Sequence, residues 1–190
     1  MPVNQNIKTS AFPSILSNTR VKSFLWILSF SILTAVGAQI TIPVKPVPFT
    51  LQTMMVVLAG AFLGSRNGAY SQVLYLALGC AGLPVFAQVP DGAVGFARLF
   101  GPTGGYLLAF PLAAFITGYI IEKKKSYLSV VVSMFLGNVL IIFVGALYLD
   151  IFFIHNISES LKAGAVIFSL WTVIKVIAAA AIFFGISKKQ

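Results

Sequence analysis

The chain has 190 residues, of which 58% are hydrophobic, 13% aromatic and only 9% charged, and its mean hydropathy is +0.97. That composition excludes an ordinary soluble domain and describes a protein that crosses the bilayer repeatedly. The net charge of +9 does not point to nucleic acid, because the basic residues stand in short clusters at the ends of apolar segments, as topology signals do.

Residues 1–19 read as a polar N-terminal segment without Asp or Glu, and residues 20–190 as one transmembrane domain. Arg20 and Lys22 precede an apolar run that ends near Val36-Gly37-Ala38. The run is long for a signal-peptide core and its polar preface is extended, so it is read as a retained helix. Six apolar segments follow: Ser23–Ile42, Thr50–Gly64, Ala69–Phe86, Gly101–Ile121, Ser126–Leu149 and Leu161–Ile186. They predict an all-α membrane protein with six transmembrane helices. The second and third are short and interrupted by Gly and Pro, which suits broken helices.

Loop charges set the orientation. With the N-terminus inside, Lys8, Arg20, Lys22, Arg66, Lys123, Lys124, Lys125, Lys188 and Lys189 fall inside, and only Lys45, Arg98 and Lys162 fall outside. This positive-inside bias predicts that both termini are cytoplasmic. Trp26, Tyr70, Tyr119 and Tyr127 lie toward the inner ends and fit an interfacial belt. Ser31 and Ala35 share one face of the first helix, a small-residue spacing that serves docking of another helix or internal packing.

The outward connections carry most of the unusual chemistry. Ile42-Pro43-Val44-Lys45-Pro46-Val47-Pro48 is stiffened by its prolines and predicted to be extended. Thr50 is a candidate N-cap for the second helix, and Gln52 places an amide in its first turn. Gln52 reads as a ligand contact or as a bond to the backbone of a rigid hairpin. The second outward connection, through Pro90-Asp91-Gly92 to Arg98, is too apolar for a plain solvent loop and reads as a lid. Arg98 offers a fork for a carboxylate, or pairs with Asp91. Gly101-Pro102-Thr103-Gly104-Gly105-Tyr106 opens the fourth helix, where free N–H groups favour an acceptor.

Lys175 is the strongest single signal. It sits in the last apolar segment, roughly 20 Å from Lys188 at 1.5 Å per helical residue, too far to snorkel. So deep an ammonium is expected to face the protein interior and meet an anionic ligand or carbonyl oxygens. Trp171 lies one turn earlier. Asn138 reads as a helix-packing amide or a ligand contact. Cys80 has no disulfide partner, and His155 has no companion for a metal. No nucleophile–base pair stands at membrane depth, so an enzyme is not expected. An autonomous channel or proton-coupled carrier would need membrane acids, whereas every Asp and Glu is in or beside a loop. These residues alone describe a small polytopic protein with an outward site for an anionic ligand.

Three blocks resemble the signatures of the BioY family: Val47-Pro48-Phe49-Thr50-Leu51-Gln52-Thr53, Gly82-Leu83-Pro84-Val85-Phe86-Ala87 and Gly101-Pro102-Thr103-Gly104-Gly105-Tyr106. BioY proteins are biotin-specific substrate-binding subunits (S components) of energy-coupling-factor transporters in prokaryotic cell membranes. The resemblance covers roughly Ala35 to the end. It implies a biotin pocket near the extracellular side, with Gln52, Tyr75, Arg98, Gly104 and Tyr106 around it and Lys175 on the carboxylate. It implies docking through Ser31 and Ala35 on a transmembrane coupling subunit, with two cytoplasmic ATPases using ATP and no cofactor in this chain. The alternative is a carrier, dependent or autonomous, for another small carboxylate. One position departs from the family: Thr172 stands where an Asp often precedes the lysine by three residues.

Overall fold

The computed structural model describes residues 19–88, 93–124, 126–165 and 170–187. The N-terminal segment through residue 18, Pro90-Asp91-Gly92, Lys188 and Lys189 lie outside the described residues, as does the side chain of Trp171. The chain is mostly helical: α1 (Thr19–Gln39), α2 (Gln52–Cys80), α3 (Gly104–Lys123), α4 (Tyr127–Leu149), α5 (Ile157–Ala165) and α6 (Leu170–Ser187). Helix α1, helix α3 and the stretch Tyr127–Ile154 are long and apolar enough to cross a membrane, and Thr172–Ile186 is a shorter apolar stretch.

Helix α1 buries Phe30, Ser31, Thr34, Gly37 and Ala38 and exposes Phe24, Leu25, Ile32, Leu33 and Val36. Its outer face is therefore apolar and its inner face small and polar, the pattern of a helix solvated by lipid. Ser31 Oγ donates to the Ser71 carbonyl at 2.6 Å, and Gln72 Nε2 donates to Thr34 Oγ1 at 3.2 Å. Ser31 is fully buried by the chain's own second helix, so in this conformation it is not a surface for a partner. Ser31 packs internally, and Ala35 on the same face is only partly buried.

Helix α2 is a single element only in name. Gly64 has φ 79° and ψ 179°, outside any helix and accessible to glycine alone. The chain reverses there, bringing Gly68 against Gly60 so closely that a Cβ on Gly68 would lie 2.8 Å from the Gly60 Cα. The two limbs are the short second and third segments expected from sequence, with the break displaced from a loop to one residue. Glu122 holds the elbow: its carboxylate accepts from Ser65 N at 2.7 Å and from Ser65 Oγ at 2.8 Å, where a helix start favours negative charge.

The proline-rich connection closes into a ribbon, β1 (Thr41–Ile42) antiparallel to β2 (Phe49–Thr50), with Thr41 opposite Thr50. The residue capping α2 is Leu51 and not Thr50, which acts one position earlier by accepting from Gln52 N at 3.2 Å. Beyond α4, a turn of π-helix (Asp150–Ile154) ends at His155, whose φ is 53°. Of the segment expected as one helix, Leu161–Ile186, the described residues are helical through Ala165 and again from Leu170.

Candidate substrate-binding site

Where the ribbon, the second loop and the ends of α2, α3, α4 and α6 converge, they line a small cavity of about 50 Å³. The walls are mostly apolar: Val47 and Pro48 from the ribbon, Phe86 and Ala87 from the loop, Leu107 and Phe110 from α3, Ile141 and Ile142 from α4. Into this lining project Thr50, Gln52, Thr53, Arg98, Thr103, Tyr106 and Lys175. An apolar chamber with a few convergent polar groups is the usual form of a small-molecule site.

Lys175 is only 3% exposed. Its Nζ donates to Thr53 Oγ1 at 2.8 Å and to the Thr50 carbonyl at 3.3 Å. Among the described residues no carboxylate comes within ion-pair distance, so two neutral acceptors hold the cation. An ammonium has three N–H donors. Two of them are used by acceptors among the described residues. Thr172, one turn earlier on α6, is also buried.

Arg98 sits on a short 3₁₀ helix, Gly95–Phe100, and is 6% exposed. Its guanidinium donates to the Ala87 carbonyl at 2.7 Å and to the Ala93 carbonyl at 3.4 Å, clasping the two sides of the loop. Its Nε is buried without a partner among the described residues. Burial pulls this guanidinium below its ordinary pKa, and the Tyr75 hydroxyl opposes that shift. Asp91, its other expected partner, lies outside the described residues.

Gln52 is tied in place on both sides. Its Nε2 donates to the Tyr75 hydroxyl, and its Oε1 accepts from Thr50 Oγ1 at 3.1 Å. One amide N–H and one lone pair remain. Tyr75 is fully buried, donates to the Val85 carbonyl at 3.1 Å and packs on Phe86 and Phe110. It stands behind Gln52 and not on the chamber wall.

Tyr106 lines the chamber, and its hydroxyl is buried with no partner among the described residues. Gly104 does not line it: a Cβ there would strike the Leu99 carbonyl, so its role is to let the loop close on α3. Asn138 is turned aside, donating to the Met134 carbonyl at 2.9 Å within its own helix. The family resemblance implied that the two outward loops wall the pocket, but sequence reasoning gave no individual role to Thr53, Thr103 or the apolar walls from α3 and α4. Thr53 was visible as the neighbour of Gln52 in the first turn of α2.

The sequence matches the profile of the BioY family over residues 8–190. It is 41% identical over 161 residues to a protein of Thermotoga maritima named biotin transporter BioY, covering 85% of this chain and 93% of that one. A second relative, biotin transporter BioY2 of Lactococcus lactis subsp. cremoris, is 35% identical over 163 residues, covering 85% and 88%. Among solved structures, the crystal structure of the S component for biotin from an ECF-type ABC transporter superposes with a TM-score of 0.80. That match is at 29% identity and covers 89% of this chain and 92% of the other. The relatives are named as transporters and not enzymes, and over its length, its fold and its signature blocks the chain belongs to the BioY family.

Proposed function

We propose that this chain is the biotin-binding S component of an energy-coupling-factor transporter, taking biotin from outside the cell and delivering it inward with an ATP-driven module. The observation that carries the reading is Lys175: a buried lysine held by two neutral acceptors in the lining of an apolar chamber. A valerate carboxylate completes its coordination and neutralises it, while the apolar walls cover the rest of a small ring system. Gln52, Arg98 and Tyr106 supply the remaining donors for the polar end. The topology that goes with this function has six crossings, the two limbs of α2 counting separately, with both termini cytoplasmic. The positive-inside bias supports it. ATP hydrolysis belongs to partner subunits, reached through a transmembrane coupling subunit.

Titration calorimetry of the purified protein with biotin tests this. Saturable 1:1 binding by wild type, lost or strongly weakened in Lys175→Ala, is the expected result. No binding of biotin by folded wild-type protein overturns the ligand. A competing small carboxylate that binds in its place supports the alternative cargo.

A further inference from the structure

The cavity occupies one end of the bundle, and a second cleft lies at the other. Nineteen residues of α3 separate Gly104 from Lys123, roughly 28 Å at 1.5 Å per residue. There the elbow of α2 and the end of α3 bound a cleft of about 660 Å³, lined by Arg66, Asn67, Phe115, Tyr119, Glu122 and Lys123 among others. Both oxygens of Glu122 are engaged by Ser65. Arg66 is exposed and makes no hydrogen bond or ion pair among the described residues. The Lys123 ammonium sits 5.4 Å from the centroid of the Tyr119 ring. Two cations against one engaged carboxylate leave the cleft with a net positive charge, and the guanidinium fork is free for a phosphate.

An apolar track leads to it. Leu108, Leu112, Phe115 and Tyr119 are exposed along one face of α3, spaced by three and four residues, and the Phe115 and Tyr119 rings stack at 6.1 Å. The track ends under the Lys123 ammonium. A free phosphate ion has no use for such a track, whereas an acyl chain lies along it while its headgroup enters the cleft. A zwitterionic headgroup brings its own cation and is disfavoured beside Arg66 and Lys123.

We propose that the cleft at Arg66 and Lys123 binds the headgroup phosphate of an anionic phospholipid whose acyl chain lies on the Leu108–Tyr119 face of α3. The full-length protein is reconstituted in mixed phosphatidylglycerol and phosphatidylcholine bilayers, and the lipids it retains are weighed by native mass spectrometry. Wild type is expected to keep phosphatidylglycerol in preference. The double substitution Arg66→Gln, Lys123→Gln is expected to reduce that retention roughly twentyfold, and Lys123→Gln alone about fivefold, from the worth of each cation near an anionic surface. Both side chains are exposed, and melting by circular dichroism checks that the variants are folded. Lys22→Gln, an exposed cation on α1, is expected to change nothing. Equal retention of the two lipids by wild type overturns the proposal. So does unchanged retention in the double variant, an equal loss in Lys22→Gln, or displacement of the lipid by excess inorganic phosphate.

Discussion

Lys175 and Thr53 meet across the bundle although 122 residues separate them in sequence, the ammonium donating to the threonine hydroxyl at 2.8 Å. With the bond to the Thr50 carbonyl, this contact ties α6 to the ribbon and to the first turn of α2. The proposed ligand anchor and the ribbon beside the chamber are thus one unit. A ligand that takes the third ammonium donor also reports on the geometry of the ribbon.

The first prediction isolates the charge contact. Biotin methyl ester keeps the ring system and chain of biotin but removes the anionic charge. It is expected to bind wild type at least about tenfold more weakly than biotin, the worth of a charge-assisted hydrogen bond. In Lys175→Gln the two ligands are expected to bind alike. Calorimetric titration of both ligands against both proteins checks it, and a gap that survives the substitution moves the carboxylate away from Lys175.

Tyr106 separates stability from binding. Its hydroxyl is buried with no hydrogen-bond partner among the described residues. Tyr106→Phe is expected to leave the melting temperature of the empty protein unchanged or slightly higher. If the ligand uses this hydroxyl, the same substitution weakens biotin about fivefold to tenfold, one neutral hydrogen bond. Thermal melts with and without biotin read both effects, and a lower melting temperature in the empty protein would show that the hydroxyl already has a partner.

Much of this was legible in the residues. Apolar segments bounded by cations and a lysine too deep to snorkel each carry a signal that local chemistry reads directly, whereas Tyr106 entered only through the family resemblance. What the sequence left open depends on how helices rotate against one another. Ser31 has the spacing of a docking face, yet it points at Ser71, because a stripe of small residues suits internal and external neighbours equally. Tyr75 carries a hydroxyl fit for a ligand, but the reversal at Gly64 puts it behind Gln52. The reversal itself was legible only as a Gly-interrupted pair of short segments. Thr53 was overlooked because its partner is on the last helix.

A glycine on α4 shapes the chamber without touching its contents. A Cβ on Gly145 would fall onto the ring of Tyr106, which lines the cavity. Gly145→Ala therefore pushes the ring toward the ligand space or strains α4, at an overpacking cost of about 1–3 kcal/mol. Biotin affinity is expected to fall by at least about fivefold. Combining it with Tyr106→Ala, which removes the obstructing ring, is expected to erase the added loss. Titration of the two single variants and the double variant makes the cycle. Additive losses would place the effect of Gly145 elsewhere.

The elbow of α2 sets the last prediction. Gly64 holds φ 79° and ψ 179°, a region that L side chains avoid, and a Cβ there would also meet the Glu122 carboxylate that binds Ser65. Gly64→Ala combines backbone strain of about 1–3 kcal/mol with displacement of that carboxylate. Gly82 gives an internal comparison: its φ is 92°, but nothing lies within 4 Å of a Cβ there. Gly82→Ala carries backbone strain alone and is expected to lower the melting temperature less than Gly64→Ala. Because the limbs of α2 bring Gln52 to Tyr75, a distorted elbow is also expected to weaken biotin, whereas the strain at Gly82 lies outside that pairing. Melts and titrations of the two variants decide it: equal destabilisation, or full biotin affinity in Gly64→Ala, would mean that the reversal does not depend on glycine.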